Sequence, residues 1–112
     1  MDRDQASVED IVLACREIAR FIQTMTRGRF VQDSLVSSGV VRQLEIVGEA
    51  VKRLSRSYRD QHPELPWKDM SGMRDRLIHA YDEVDLDLVW HFAHEEIPSV
   101  LPLLERLLPP EL

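Results

Sequence analysis

From Ser7 onward, apolar residues return at steps of three and four: Val8, Ile11, Val12, Cys15, Ile18, Ala19, Ile22 and Met25. Side chains at those steps stack on one face of a helix, so the run predicts an amphipathic helix with a single buried stripe. Ser7 is its expected cap, with Glu9 and Asp10 near the positive end of the helix dipole, and Gly28 in "TRGRF" is its expected stop. A second run follows Asp33, through Leu35, Val40 or Val41, Leu44, Val47, Val51, Leu54 and Tyr58, and predicts one long helix. Gly48 inside it costs about 1 kcal/mol relative to alanine, so either a neighbouring helix approaches closely there or the cost is simply borne.

Pro63 and Pro66 in "QHPELPW" end that helix and open a third, over about Trp67 to Ala80, because proline suits a first turn where its missing N–H is not needed. Leu86, Val89, Trp90, Ala93, Ile97, Val100, Leu101, Leu104 and Leu108 make a last apolar stripe, which Pro98 and Pro102 should kink or divide. No stretch alternates with period two for long enough to make a strand, and there is no internal repeat or low-complexity tract. The expected fold is all-α, an antiparallel up-down bundle of four to five helices. "PPEL" reads as a frayed tail.

Length changes the picture only by limiting it: 112 residues suit one domain, 1–112, and not two independent cores. A chain with 44% hydrophobic and 30% charged residues folds. Its net charge of −6 opposes non-specific binding of long nucleic acid, although local charge can differ. Cys15 has no partner in its own chain and falls on an apolar stripe, which fits a buried small hydrophobe and a reducing compartment. "MDRDQ" begins no signal peptide and no segment reaches the ~20 apolar residues of a membrane span, so the expected location is cytoplasmic.

The third helix carries the candidate chemistry, in "MRDRLIHAYDEVD". At roughly 100° per residue, Met70, Met73, Leu77 and Tyr81 fall on a core-facing side. Asp75 and His79, four apart, stack on the opposite side, where the carboxylate can hold an imidazole N–H and orient the ring. Arg74 and His79 are separated by about 140° around an ideal helix. They converge if the helix loosens near Ala80, or if a second copy of the chain brings its own pair against the first.

Arg74-x-x-x-x-His79-x-Tyr81 resembles the R-x4-H-x-Y motif of the HEPN superfamily. Its surroundings look like the HepT-type toxin branch: Gly48-Glu49-Ala50 on the second helix, then Pro66-Trp67, the motif, and Tyr81-Asp82-Glu83-Val84-Asp85 followed by Val89-Trp90. The resemblance covers most of the chain in the same order. One position departs from the common form, in which asparagine follows the motif arginine; here it is Asp75, which accepts hydrogen bonds but cannot donate them as an amide does.

The resemblance implies a HEPN-like homodimer acting as a metal-independent endoribonuclease with no cofactor. It also implies a toxin of type VII, whose partner is a small MNT-type nucleotidyltransferase antitoxin that can adenylylate the motif tyrosine. Metal-free RNA cleavage needs a base for the 2′-OH, an acid for the leaving 5′-oxygen and a cation for the phosphorane charge. His79, with an intrinsic pKa near about 6.5, suits the proton transfers, and Arg74 suits the charge. Two copies around one cleft supply the second histidine. Tyr81 is the auxiliary group and modification target, and AMP on its hydroxyl would exclude RNA by charge and bulk. A different class is also open: a non-catalytic HEPN module that binds nucleotide or docks the nucleotidyltransferase. A bare dimerising bundle is the third reading.

Lys52, Arg53, Arg56 and Arg59 form a candidate track for an RNA backbone, with Arg76 a further candidate, and the plain alternative is cations complementing a helix C-terminus. His91, His94 and Glu95 have helical spacing but no convincing third metal partner. Trp67 and Trp90 read as core or interface anchors, and Met25, Met70 and Met73 as core filler.

Overall fold

A computed structural model describes residues 2–77 and 83–110. Helix α1, Arg3–Ile22, starts earlier than its apolar stripe. Asp2, not Ser7, caps it, the carboxylate accepting the Gln5 N–H at 2.7 Å; Ser7 is buried one turn inside. Gly28 is not the stop either. The chain leaves the helix after Ile22, and Thr26 starts a short α2, Arg27–Gln32, in which Gly28 lies, by accepting the Arg29 N–H on its hydroxyl at 3.2 Å.

Asp33 alone joins α2 to α3, Ser34–Arg53: its N–H donates to Phe30 and its carboxylate accepts from Val36 N–H at 3.0 Å. The α3 stripe is Val40, Leu44, Val47, Ala50 and Val51, so Val40 rather than Val41 sets the register. The expected long helix is two. Leu54 adopts extended backbone and Ser55 caps a separate α4, Arg56–Gln61, to which Tyr58 belongs. A serine able to cap overrides the continuing apolar pattern because its hydroxyl satisfies the Tyr58 N–H, at 3.1 Å, and so allows a new start.

The third predicted helix appears as α5, Trp67–Ser71, and α6, Met73–Leu77, with a one-residue break at Gly72. Its expected last turn lies outside the described residues. Beyond it, α7, Leu86–His91, runs into a π-helical turn, Phe92–Glu96, and then α8, Ile97–Glu105. The expected interruption falls just before Pro98, where the Ile97 N–H reaches back five residues to Phe92. Pro98 sits in the first turn of α8 and Pro102 is accommodated within it.

Helix α1 lies antiparallel to α3, since Asp4 meets Ser55 and Asp10 meets Arg53 at 3.3 Å. Helices α5 and α6 lie across α3, and α8 lies along α1 with Arg16 paired to Glu105 at 2.7 Å. Arg27 pairs with Asp87 between α2 and α7, above a Phe30–Trp90 contact of 5.2 Å. Between these rods sit Ile11, Ile18, Phe30, Leu44, Phe92 and Ile97, each buried side chain contributing about 1.5–3 kcal/mol of transfer free energy. The described residues therefore build the expected all-α bundle: four rods, α1, α3, α5–α6 and α7–π–α8, linked by short α2 and α4. None of their helices is long and apolar enough to cross a membrane.

Candidate active site

Met73 and Leu77, one turn apart, are buried, as is Met70 on α5. This fixes the rotation of α6 and turns Arg74, Asp75 and Arg76 outward, as the periodicity requires. His79 and Tyr81, and with them the expected Asp75–His79 contact, lie outside the described residues.

Arg74 donates through Nε to a carboxylate oxygen of Glu45 on α3, at 3.4 Å. The arginine side chain remains 50% exposed while Glu45 is 26% exposed, so the pair sits at a rim. Glu45 is within reach because α5–α6 comes close to α3 at Gly48, where an added Cβ would stand 3.4 Å from the Ser71 carbonyl oxygen and 3.5 Å from that of Met70. The glycine thus marks a close helix approach, the first of its two sequence explanations. Arg76 points elsewhere, its guanidinium 4.9 Å from the centre of the buried Phe92 ring, where it covers the core by cation–π contact.

The proposed basic track divides. Arg53 is committed to Asp10, and Lys52 is exposed on α3. Arg56 and Arg59 line a groove between α4 and α5, together with Lys68. Glu45 and Lys68 are the residues that sequence reasoning missed. Glu45 is remote from the motif in sequence, and Lys68 is a lone cation beside Trp67; only the packing of α5 against α3 and α4 brings them in.

His94 stacks on Trp90 with centroids 4.8 Å apart and contacts Glu95 at 3.1 Å, while His91 turns to Glu96 at 3.4 Å. Among the described residues no group of three histidine, cysteine or acidic side chains is placed to hold a metal. Trp67 is an anchor, its ring buried and its Nε1–H donated to the His62 carbonyl at 2.9 Å. Burial, reinforced by the Glu105 charge, pushes the Cys15 thiol up to about 12, far from a reactive thiolate.

The family model described as "Ribonuclease HepT-like" matches residues 11–107. The chain belongs to the HepT-like ribonuclease family. This HepT-like chain is 40% identical over 100 residues to a protein of Thermococcus cleftensis named probable ribonuclease HepT, covering 89% of this chain and 91% of that one. It is 36% identical over 104 residues to a protein of Caldanaerobacter subterraneus subsp. tengcongensis named as a candidate RNase, covering 93% of each. A Methanocaldococcus jannaschii protein, also named as a candidate RNase, is 36% identical over 104 residues, covering 93% of this chain and 86% of that one. No solved structure matches the chain.

Proposed function

We propose that this HepT-like protein is a metal-independent endoribonuclease, the toxin of a pair whose antitoxin is a nucleotidyltransferase. The observation that carries the reading is Arg74: it stands outward at the rim of α6, steadied by Glu45, in the R-x4-H-x-Y register of a chain from a ribonuclease family. A guanidinium so placed can take two oxygens of a scissile phosphate, and its charge persists throughout the reaction.

His79 of one copy removes the 2′-OH proton, and the 2′-oxygen attacks phosphorus. His79 of the other copy protonates the departing 5′-oxygen, leaving a 2′,3′-cyclic phosphate and a 5′-OH. Arg74 stabilises the phosphorane between them. Asp75 orients the imidazole. The scheme needs two histidines and hence a homodimer. Support for one comes from Leu13, 58% exposed on α1 beside Ala14 and Ile46, the last being next in chain to Glu45. Transfer of AMP from ATP to the Tyr81 hydroxyl, with release of pyrophosphate, blocks the cleft and silences the enzyme.

The test is cleavage of single-stranded RNA in excess EDTA by the wild type, Arg74→Ala and His79→Ala. Only the wild type should cut; identical behaviour of all three overturns the assignment. After incubation with the antitoxin and ATP, intact-mass spectrometry should show AMP on the wild type and none on Tyr81→Phe.

A further inference from the structure

The open groove between α4 and α5 has a volume of about 550 Å³ and is lined by Arg56, Arg59 and Lys68, by Asp60 and Asp69, and by Ser71. Its lining is thus net cationic in a chain whose overall charge is −6. Asp60 offsets little of this, standing 3.9 Å from Arg56 with both side chains largely exposed. Arg59 is half-buried, and its Nε is shielded from solvent with no hydrogen-bond partner among the described residues. A buried donor without an acceptor is unfavourable, and Arg59 lines the groove in which an anion would meet its guanidinium.

Ser71 belongs to the groove's lining, and at roughly 1.5 Å rise per residue Arg74, on α6 beyond the Gly72 break, follows within one turn of Ser71 and two of Lys68 along the chain. The Trp67 ring is buried and its N–H is already used, so the groove offers cations and not an open aromatic platform.

We propose that this groove is a subsite for the phosphate backbone of single-stranded RNA, leading to Arg74, with Arg59 and Lys68 as its main contacts. The proposal rests on the ribonuclease reading and deepens it: the groove holds the strand beside the scissile bond without reading its bases. Phosphate contact suits the sign of the charge. Of the apolar lining residues Leu65 and Trp67 are buried and Pro66 is exposed, which leaves an acidic protein segment, needing apolar anchors beside the cations, little to hold.

The probe is a fluorescein-labelled, fully 2′-O-methylated RNA of about 12 nucleotides, which keeps the phosphates and cannot be cut through a 2′-OH. Measured by anisotropy with the full chain, Lys68→Ala and Arg59→Ala should each weaken binding about fivefold and together about 25-fold, and the double variant should lower the salt slope by about one to two. Arg16→Ala, outside the groove, should change nothing beyond twofold. Because Arg59 is half-buried, Arg56→Ala/Lys68→Ala, which alters only exposed side chains, is run beside it and should lose about tenfold. Wild-type affinity in both folded double variants, verified by circular dichroism, overturns the proposal. So does polyglutamate displacing the probe as readily as unlabelled RNA, which would make the groove a protein-docking site. Groove-dependent binding by a wild type that never cuts unmodified RNA supports the groove and sinks the nuclease reading instead.

Discussion

Arg74 on α6 and Glu45 on α3 meet at 3.4 Å, a carboxylate set beside the cation proposed to receive a phosphate. The pair is half-exposed, so it contributes little to stability, about 0–1 kcal/mol. Its consequence falls on RNA: Glu45 aims the guanidinium but repels the incoming phosphate. Glu45→Gln keeps an oxygen for Nε–H and removes the charge, so KM for RNA should fall two- to fivefold with kcat within twofold of wild type. Glu45→Ala removes the support too and should lower kcat by about tenfold. Steady-state cleavage kinetics decide; wild-type behaviour from both variants would remove Glu45 from the site.

A second relationship governs acid stability. Both carboxylate oxygens of Asp4 accept from Ser55, one from its N–H and one from its hydroxyl, each at 2.7 Å, tying the start of α1 to the start of α4. These bonds hold the Asp4 carboxyl below its ordinary value of 3.8. A depressed folded value means stabilisation that is complete above the unfolded pKa and lost as pH falls through the folded one. Asp4→Asn, which mimics the protonated acid, should therefore cost about 1 kcal/mol at pH 7. The two melting temperatures should converge as pH drops below about 3.8. A gap that stays constant down to pH 3 would contradict the linkage.

Gly48 offers a steric test. A methyl there would touch the carbonyl oxygens of Ser71 and Met70 at ordinary contact distance, and it would remove the helix penalty of glycine. Gly48→Ala should gain up to about 1 kcal/mol in urea denaturation. Gly48→Leu has no such room; it should lose about 1–3 kcal/mol and, by pushing α5–α6 off α3, impair cleavage as well. Equal tolerance of both substitutions would mean that the close approach is not tight.

The contrast among these residues explains what was legible in the sequence. Burial imposes a period on everything it touches, so the faces of α1 and α3, and the rotation of α6 that turns Arg74 outward, were readable from Val8 to Ile18, from Val40 to Val51 and from Met73 and Leu77. Helix ends were not, because a cap is one local hydrogen bond that competing residues can supply: Asp2 took the role expected of Ser7, and Ser55 opened a new helix inside an unbroken apolar run. Glu45 left no local trace: its relation to Arg74 is created by the packing of α6 on α3, and no spacing along one helix encodes it. Lys68 stands six residues before Arg74, but its place beside Arg59 comes only from the packing of α5 on α4.

One histidine per motif cannot serve as both acid and base in a single turnover without a second group, so the proposed chemistry stands or falls with the dimer. Leu13 is a large apolar side chain with more than half its surface exposed, and it contributes nothing to the core of its own chain. Leu13→Asp should therefore leave the thermal melt of the isolated fold within about 0.5 kcal/mol. Placed opposite its own copy across a two-fold axis, the same aspartate would set two carboxylates face to face in an apolar contact. Sedimentation should then show a dimer in the wild type and a monomer in the variant, with cleavage falling at least a hundredfold in step. A monomeric Leu13→Asp that still cuts RNA would show that each chain holds a complete site, and the second proton-transfer group would have to be sought within it.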